Sequence, residues 1–368
     1  MYSETQFINK YNSLKLTTFT DFMKTARVST GSQLLPIKDY LKTKNISSQQ
    51  LKLLFEFIKS KEIYLRTFYK KSMNPYELHI KAAPSKEYNN NQLVQYKNII
   101  RNQFYRQIME KTKPGTENIR TYGELLDNLF NRLIIDYKLL TPSALHYLEQ
   151  GRLGSVFSSY YFRASIMNPY LVYSLQETLL KGTRVFSPTL GWGSYCYGFL
   201  ESNKVTTYVG TDVIPEVCKK VSNFAKKHYP SKTVTIYCNP SESLYNKEFL
   251  KQYREHFDTV FFSPPYYDLE KYEGRNQSIQ QYKTYDEWLQ KYWKQTVRLC
   301  YEVLQKNGKM CFIISNYRRK GEYLNLVSDM VKVTSEYFKS FKTIPMKNKM
   351  KYVNETGNEE QILLFKKM

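Results

Sequence analysis

The stretch from Phe261 to Glu270 reads FFSPPYYDLE, an apolar run that meets a serine, two prolines and two tyrosines. Pro264 and Pro265 each fix φ and each lack a backbone donor, so a strand must end here with its carbonyls unpaired and rigidly aimed. The Ser263 side chain and the Pro264 carbonyl are then two neighbouring hydrogen-bond acceptors, with Tyr266 as an aromatic plane beside them. Such a set suits a planar amine whose lone pair is delocalised into a ring. Acceptors bonded to that amine help to localise the lone pair, and a stacked ring holds the nitrogen in line with an electrophile. No general base has to act first, because the nitrogen becomes acidic only after alkylation. The bland alternative is a rigid loop that closes a strand.

A second group of residues has to face the first. The run TRVFSPTLGWGSYCYG places Gly191 and Gly193 in a strand-to-helix turn, just after Ser187 and Thr189, with Gly198 in the following helix. Glycines at such a turn admit a ligand close to the backbone, and the helix start offers free N–H groups. Any tight turn can use Gly-x-Gly, so its position carries more than its composition. The next strand ends in GTDV, where Asp212 lies beyond a sheet edge as a carboxylate able to accept both hydroxyls of a ribose. Its alternative role is to cap the helix that begins near Pro215. A third strand ends in YCNPSES, which puts Ser241 and Glu242 where an adenine amino group is read. The turn lacks the full G-x-G-x-x-G of dinucleotide binding, and the arrangement fits S-adenosylmethionine better than NAD. The electron-rich face of Tyr266 also suits a sulfonium.

These residues need a sheet to hold them. Short apolar runs at 183, 206, 234, 258, 309, 337 and 361 read as strands, and helical patterns separate most of them. Strand–helix alternation implies an α/β fold with a parallel sheet covered on both faces and ligands bound beyond its carboxyl edge. The last two strands follow one another without a helix, as an antiparallel edge pair does. Residues 1–150 read as helices instead. SSQQLKLLFEFIKSKEIYLRTFYKK starts with Ser47 and Ser48 as cap candidates, TYGELLDNLFNRLIIDYKLL has the same helical spacing, and TPSALHYLEQG is bounded by Thr141, Pro142 and Gly151. EYNNNQ at 87–92 reads as a loop tip. The domain division expected is 1–150, helical and basic, and 151–368, the sheet domain.

The 368 residues carry 55 Lys+Arg against 33 Asp+Glu, a formal charge of +22 that favours a polyanionic partner such as nucleic acid. Abundant Lys, Asn, Tyr and Ile also suit an AT-rich genome, which accounts for part of the charge. Residues 1–150 hold 23 Lys/Arg and 13 Asp/Glu, so the excess is spread along the chain. Five cysteines without a CxxC pair, and four histidines (His79, His146, His228, His256) without a constellation, argue against a disulfide framework or a metal site. There is no apolar signal core and no run near the ~18 apolar residues of a membrane span. A soluble protein of a reducing compartment is expected.

The residues Ser263 to Tyr266 resemble the hallmark of the nucleic-acid amino-methyltransferases: Asp, Asn or Ser, then Pro-Pro, then an aromatic residue. Longer stretches, FRASIMNPYLVYSLQETLLKGTRVFSPTLGWGSYCYGFL and FDTVFFSPPYYDLEKYEG with the helix and strand that follow, are similar to methyltransferase-like proteins of phages, large DNA viruses and bacteria. The resemblance covers residues 155–368 and leaves 1–150 aside. It implies a class I, Rossmann-like seven-stranded methyltransferase sheet, S-adenosylmethionine as cofactor and a DNA base as substrate, with RNA or a protein amide as alternatives. It also implies Ser263, Pro264, Pro265 and Tyr266 as catalytic residues and Ser187, Thr189, Gly191, Gly193, Asp212 and Glu242 as the cofactor site. The serine form of the motif is commonest among cytosine-N4 enzymes. Such enzymes generally carry an acidic residue where this chain has Ser187, which removes a counter-ion for the cofactor and leaves room for a catalytically silent fold. Tyr267, Arg318 and Arg319 are the substrate-contact candidates. Lys347, Lys349 and Lys351 fall in a loop near the rim, and Trp288, Leu289 and Trp293 read as core.

Overall fold

The computed structural model describes residues 1–115, 119–274, 276–319, 322–347 and 360–368, without the side chain of Arg319. The chain forms two compact units: Met1–Asn74 with Arg101–Ser165, and Pro75–Ile100 with Ile166–Met368. The second unit therefore takes in residues 75–100, which the division at 150 assigned to the helical region. Its side chains show why. Asn168 donates from its backbone to the Asn90 side chain at 2.7 Å and from its own amide to the Gln92 carbonyl at 2.6 Å, while the Tyr170 hydroxyl reaches the Ala83 carbonyl at 2.6 Å. The stretch 87–92 is thus docked, and Asn89 bridges to Lys347, so it is not a free loop tip.

The sheet of this unit has seven strands: β1 Arg184–Ser187, β2 Thr207–Thr211, β3 Thr233–Tyr237, β4 Phe257–Phe262, β5 Leu304–Ile314, β6 Lys339–Pro345 and β7 Gln361–Lys366. Their spatial order is β6-β7-β5-β4-β1-β2-β3. β1 runs parallel to β2 and β4, and β5 parallel to β4, while β7 is antiparallel to both β5 and β6. This is the seven-stranded methyltransferase sheet that the resemblance implies. The central strands have buried apolar residues on consecutive positions, Val260, Phe261 and Phe262 in β4 and Met310 to Ile314 in β5, as a sheet covered on both faces requires.

Five helices matter for the site: α1 Pro169–Leu175, α2 Ser194–Leu200, α3 Pro215–His228, α4 Lys294–Val303 and α5 Leu326–Ser335. Asn168 caps α1 by accepting from the Tyr170 N–H at 3.0 Å, with Pro169 in the first turn. α1 and α2 pack closely because Gly198 has no side chain; a Cβ there would lie 2.5 Å from the Pro169 carbonyl. The Asp258 carboxylate accepts from the Thr183 N–H at 3.0 Å and so ties the start of β1 to β4. The chain winds from β1 outward to β3 in one direction and from β4 to β5 in the other. The crevice at this reversal, beyond the carboxyl ends of β1 and β4, is where such sheets bind ligands.

The helical unit begins as the sequence suggests. Ser47 caps Ser48–Lys59 and Thr141 caps Pro142–Glu149. Tyr122–Asn131 is also helical, but the helical reading of the same run through Leu140 needs correction. Leu133 takes φ 53°, which ends the helix, and Ile134–Asp136 then pairs in parallel with Arg27–Ser29 in a small three-stranded sheet. β-branched Ile134 and Ile135 favour the pleated edge over another helical turn.

Candidate active site

β4 ends where two prolines remove the donors a strand needs, and the residue at its tip, Ser263, is held from three sides. Its hydroxyl donates to the Ile313 carbonyl of β5 at 2.9 Å. Its backbone N–H donates to the Tyr195 hydroxyl at 3.2 Å. Its carbonyl accepts from Thr189 Oγ1 at 3.2 Å and from the Tyr195 hydroxyl at 3.4 Å. With its proton committed to Ile313, Ser263 Oγ has only lone pairs left to offer, which makes it an acceptor. Burial pushes the Tyr195 phenol up, so it stays protonated and able to fill both roles.

Pro264 is buried, and Pro265 and Tyr266 are half-buried. The Tyr266 hydroxyl donates to Glu360 Oε1 at 3.0 Å, just ahead of β7. Burial first, and then the Glu360 charge, raises this phenol well above its ordinary range. Tyr267 is a correction. Its ring is only 5 % exposed and packs edge-on against Tyr285 and Trp288, with centroids 5.5 and 5.8 Å away, and its hydroxyl donates to the Lys283 carbonyl. The chain turns back after the two prolines, with Tyr267 at φ 43° and the Leu269 N–H bonded to the Tyr266 carbonyl, and this swings the ring into the core rather than toward a substrate. Trp288 and Trp293 are fully buried, as core residues should be.

Opposite this tip, Gly191, Trp192 and Gly193 all take left-handed backbone angles, with φ of 51°, 59° and 82°. The requirement for glycine at 191 comes from Tyr195. A Cβ there would lie 2.5 Å from the Tyr195 hydroxyl, so the ring lies directly over the bend. Asp212, at the end of β2, accepts from the Leu190 N–H at 3.3 Å through one oxygen and from the Ile214 N–H at 3.1 Å through the other. It does not cap α3, whose cap position is Ile214. Burial raises the Asp212 carboxyl, and the N–H bonds from Ile214, Leu190 and Val213 oppose that rise. Its charge is also among the lesser causes that raise the phenols of Tyr195, Tyr272 and Tyr292, after burial.

Glu242 is half-buried and accepts from the Tyr282 hydroxyl at 3.2 Å. Burial raises its carboxyl, and burial with the Glu242 charge pushes Tyr282 up to about 12. Ser241 is committed to Thr296 at 2.9 Å. Ser187 is fully buried at the end of β1, and its hydroxyl and that of Ser194 have no hydrogen-bond partner among the described residues. Arg318 is exposed on a hairpin formed by Tyr317–Arg319 and Glu322–Leu324. Lys349, Lys351 and the Arg319 side chain lie outside the described residues, and Lys347 donates from its backbone to the Tyr88 carbonyl. Tyr195 and Glu360 are the two site residues that sequence reasoning missed. Neither belongs to a motif, and only the fold brings them to Ser263 and Tyr266.

Residues 257–368 match the DNA methylase family. The matched segment runs from β4 to β7 and so includes Ser263, Tyr266 and Glu360; the glycine bend and Asp212 precede it. Among solved structures, the chain is similar to the N-methyltransferase NodS from Bradyrhizobium japonicum WM9 in complex with S-adenosyl-L-homocysteine, at 10% identity and a TM-score of 0.36 over 54% of this chain and 83% of that one. It is also similar to TrmN from Thermus thermophilus, at 13% identity and 0.37 over 55% and 49%. A third is the [4+2]-cyclase SpnF, at 12% and 0.39 over 55% and 83%. No curated protein matches the chain. The methylase segment thus contributes the Pro-Pro tip and the antiparallel strands β6 and β7. No helix among the described residues is long and apolar enough to cross a membrane, and no group of His, Cys, Asp and Glu among them could hold a metal ion.

Proposed function

We propose that this protein is a methyltransferase that uses S-adenosylmethionine to methylate an exocyclic amine of a DNA base, cytosine N4 ahead of adenine N6. One observation carries the reading: Tyr195 lies over the Gly191 bend with its ring and bonds Ser263 with its hydroxyl, so cofactor turn and acceptor tip meet at one residue. The residues present fit such a cofactor. Asp212 spends one lone pair of each oxygen on backbone N–H groups and keeps others for ribose hydroxyls. Glu242 offers a second carboxylate, and the orphaned Ser187 and Ser194 hydroxyls flank the bend. When bound, the cofactor supplies an electrophilic methyl group on a sulfonium.

The chain's own residues prepare the amine. Ser263 Oγ and the Pro264 carbonyl accept its two N–H groups and draw the lone pair out of the ring system, while Tyr266 stacks on the base and fixes its plane. The methylated nitrogen then releases a proton to water. The serine in the motif supports cytosine, through the resemblance to cytosine-N4 enzymes. The basic helical region, 1–150 in sequence terms, is assigned the role of gripping the polyanion.

Incubation with methyl-labelled cofactor and DNA of mixed sequence, followed by digestion to nucleosides, tests the reading. Label in N4-methylcytosine is expected; label in neither base, but in competing RNA or protein, would move the substrate. Calorimetry with cofactor alone separates an enzyme from a silent fold. Micromolar binding is expected, weakened at least about tenfold in Asp212→Ala through loss of charge-assisted hydrogen bonds. Absence of any heat in the wild-type protein would favour the silent fold, which the buried serine at 187 makes a specific rival.

A further inference from the structure

The helical unit contains an arrangement of charge that the proposed chemistry does not use. Tyr122, at the start of its helix, stacks on Phe68 with ring centroids 5.3 Å apart, and the Arg163 guanidinium lies 5.2 Å from the same ring. The Tyr122 N–H bonds the Phe162 carbonyl at 2.9 Å, which fixes Arg163 beside it. Arg101 arrives from the helix Tyr96–Gln103 and donates through Nη1 to the Ser72 carbonyl at 2.7 Å, one helical turn beyond Phe68. The neighbouring Asn102 bonds the Met73 and Tyr2 carbonyls and anchors that helix. Both guanidinium charges act on the Tyr122 phenol, and that of Arg163 is the one in contact with its ring.

Their surroundings are unusual for arginine. In the same unit Arg66 pairs with Glu4 and Glu62, Arg120 with Asp136, and Arg132 with Asp127. Neither Arg101 nor Arg163 pairs with a carboxylate among the described residues. Burial and then the Arg163 charge pull Arg101 down to about 10. Both residues are half-buried rather than wholly enclosed. Two like charges near enough to repel one another in partial burial are unfavourable until an anion joins them. A guanidinium fork matches phosphate oxygens, and Tyr122 presents the ring that orients Arg163.

We propose that Arg101 and Arg163 form a phosphate site that takes a phosphodiester of a nucleic-acid backbone. The choice of nucleic acid as the source of that phosphate rests on the methyltransferase reading; the site itself rests on the arginine pair. Two experiments test it without an activity readout, so a catalytically silent chain would still reveal it. In the wild-type full chain, an arginine-specific dicarbonyl should label Arg101 and Arg163, and inorganic pyrophosphate should slow both at least about threefold relative to exposed Arg152. Equal rates with and without pyrophosphate would overturn the site.

The second experiment follows duplex DNA binding by anisotropy across a salt series. Arg163→Gln should bind about tenfold more weakly and lower the slope of log affinity against log salt by about one. Arg163→Lys, which keeps a point charge, should retain the slope and lose part of the affinity. Single-stranded DNA and RNA should show the same loss, because the phosphate is common to all three. Variants that remain folded by circular dichroism and bind every nucleic acid as the wild type does would refute the nucleic-acid assignment. Pyrophosphate protection that survives alongside such a result would mark a site for a free phosphate compound instead.

Discussion

The two sides of the candidate site are built by different means. On the Asp212 side, the anchors of the carboxylate are backbone N–H groups, from Leu190, Ile214 and Val213, so its place does not depend on which side chains those residues carry. On the Ser263 side, two of the anchors are side chains far away in sequence, Tyr195 and Thr189, and the nearby Tyr266 depends on Glu360. A ribose needs only a carboxylate at a sheet edge. An amine made nucleophilic by two acceptors needs those acceptors aimed to a fraction of an ångström, and that aim demands dedicated partners. The comparison leads to an expectation: changes on the first side should appear in cofactor affinity, and changes on the second in turnover.

Ser263→Ala is the sharpest way to break this contrast. It removes one of two acceptors for the amine, and loss of a single preorganised polar group at a reacting centre costs about 100-fold or more in kcat. Cofactor affinity by calorimetry should stay within about twofold of wild type. Stability should fall little, since the substitution leaves just one carbonyl, that of Ile313, without this donor. A variant that loses cofactor binding in proportion to turnover would show that the two sides are not separable.

Tyr195→Phe should have the next largest effect, and it acts on the seam between the sides. The ring still covers Gly191, but the Ser263 N–H loses its acceptor and the carbonyl loses one of two donors. An unsatisfied buried donor costs about 1–3 kcal/mol, so thermal unfolding should move down by several degrees. Turnover should fall about tenfold as Ser263 gains freedom, with the KM for cofactor nearly unchanged. Thr189→Val, which removes a single bond to the same carbonyl, should reproduce the direction with a smaller amplitude. A Tyr195→Phe enzyme with full turnover would mean that the prolines alone aim the tip.

The contrast also explains what could be read from the sequence. The seven strands, the antiparallel edge pair and the positions of Asp212 and Ser263 follow from short-range patterns, because a strand end and a Pro-Pro break are local events. The docked stretch 87–92 escaped because its partners, Asn168 and Lys347, lie some 80 to 250 residues further along. Tyr267 was misread for a related reason. A tyrosine next to a catalytic motif looks like a stacking residue until the turn after the prolines sends it inward among Tyr285 and Trp288. Tyr195 and Glu360 carry no local signature at all, since any buried tyrosine or strand-edge glutamate looks the same in sequence. The short strand Ile134–Asp136 was hidden in an apparent helix because its partner, Arg27–Ser29, is remote.

Glu360→Gln should have the smallest effect, and it asks how far the Ser263 side depends on charge rather than on hydrogen bonding. The amide oxygen can still accept from the Tyr266 hydroxyl, so the ring should keep its place and turnover near neutral pH should change less than about threefold. What the substitution removes is the second of the two causes that raise the Tyr266 phenol, the negative charge beside it. Burial, the larger cause, remains. With the charge gone, the phenol ionises at lower pH than in the wild type, and any alkaline decline in turnover that follows Tyr266 ionisation should move toward neutral. Tyr266→Phe should abolish that decline and make Glu360→Gln silent in the double variant. A Glu360→Gln enzyme with a large loss at neutral pH, and still with that loss in the Tyr266→Phe background, would place Glu360 in contact with substrate and not behind the tyrosine.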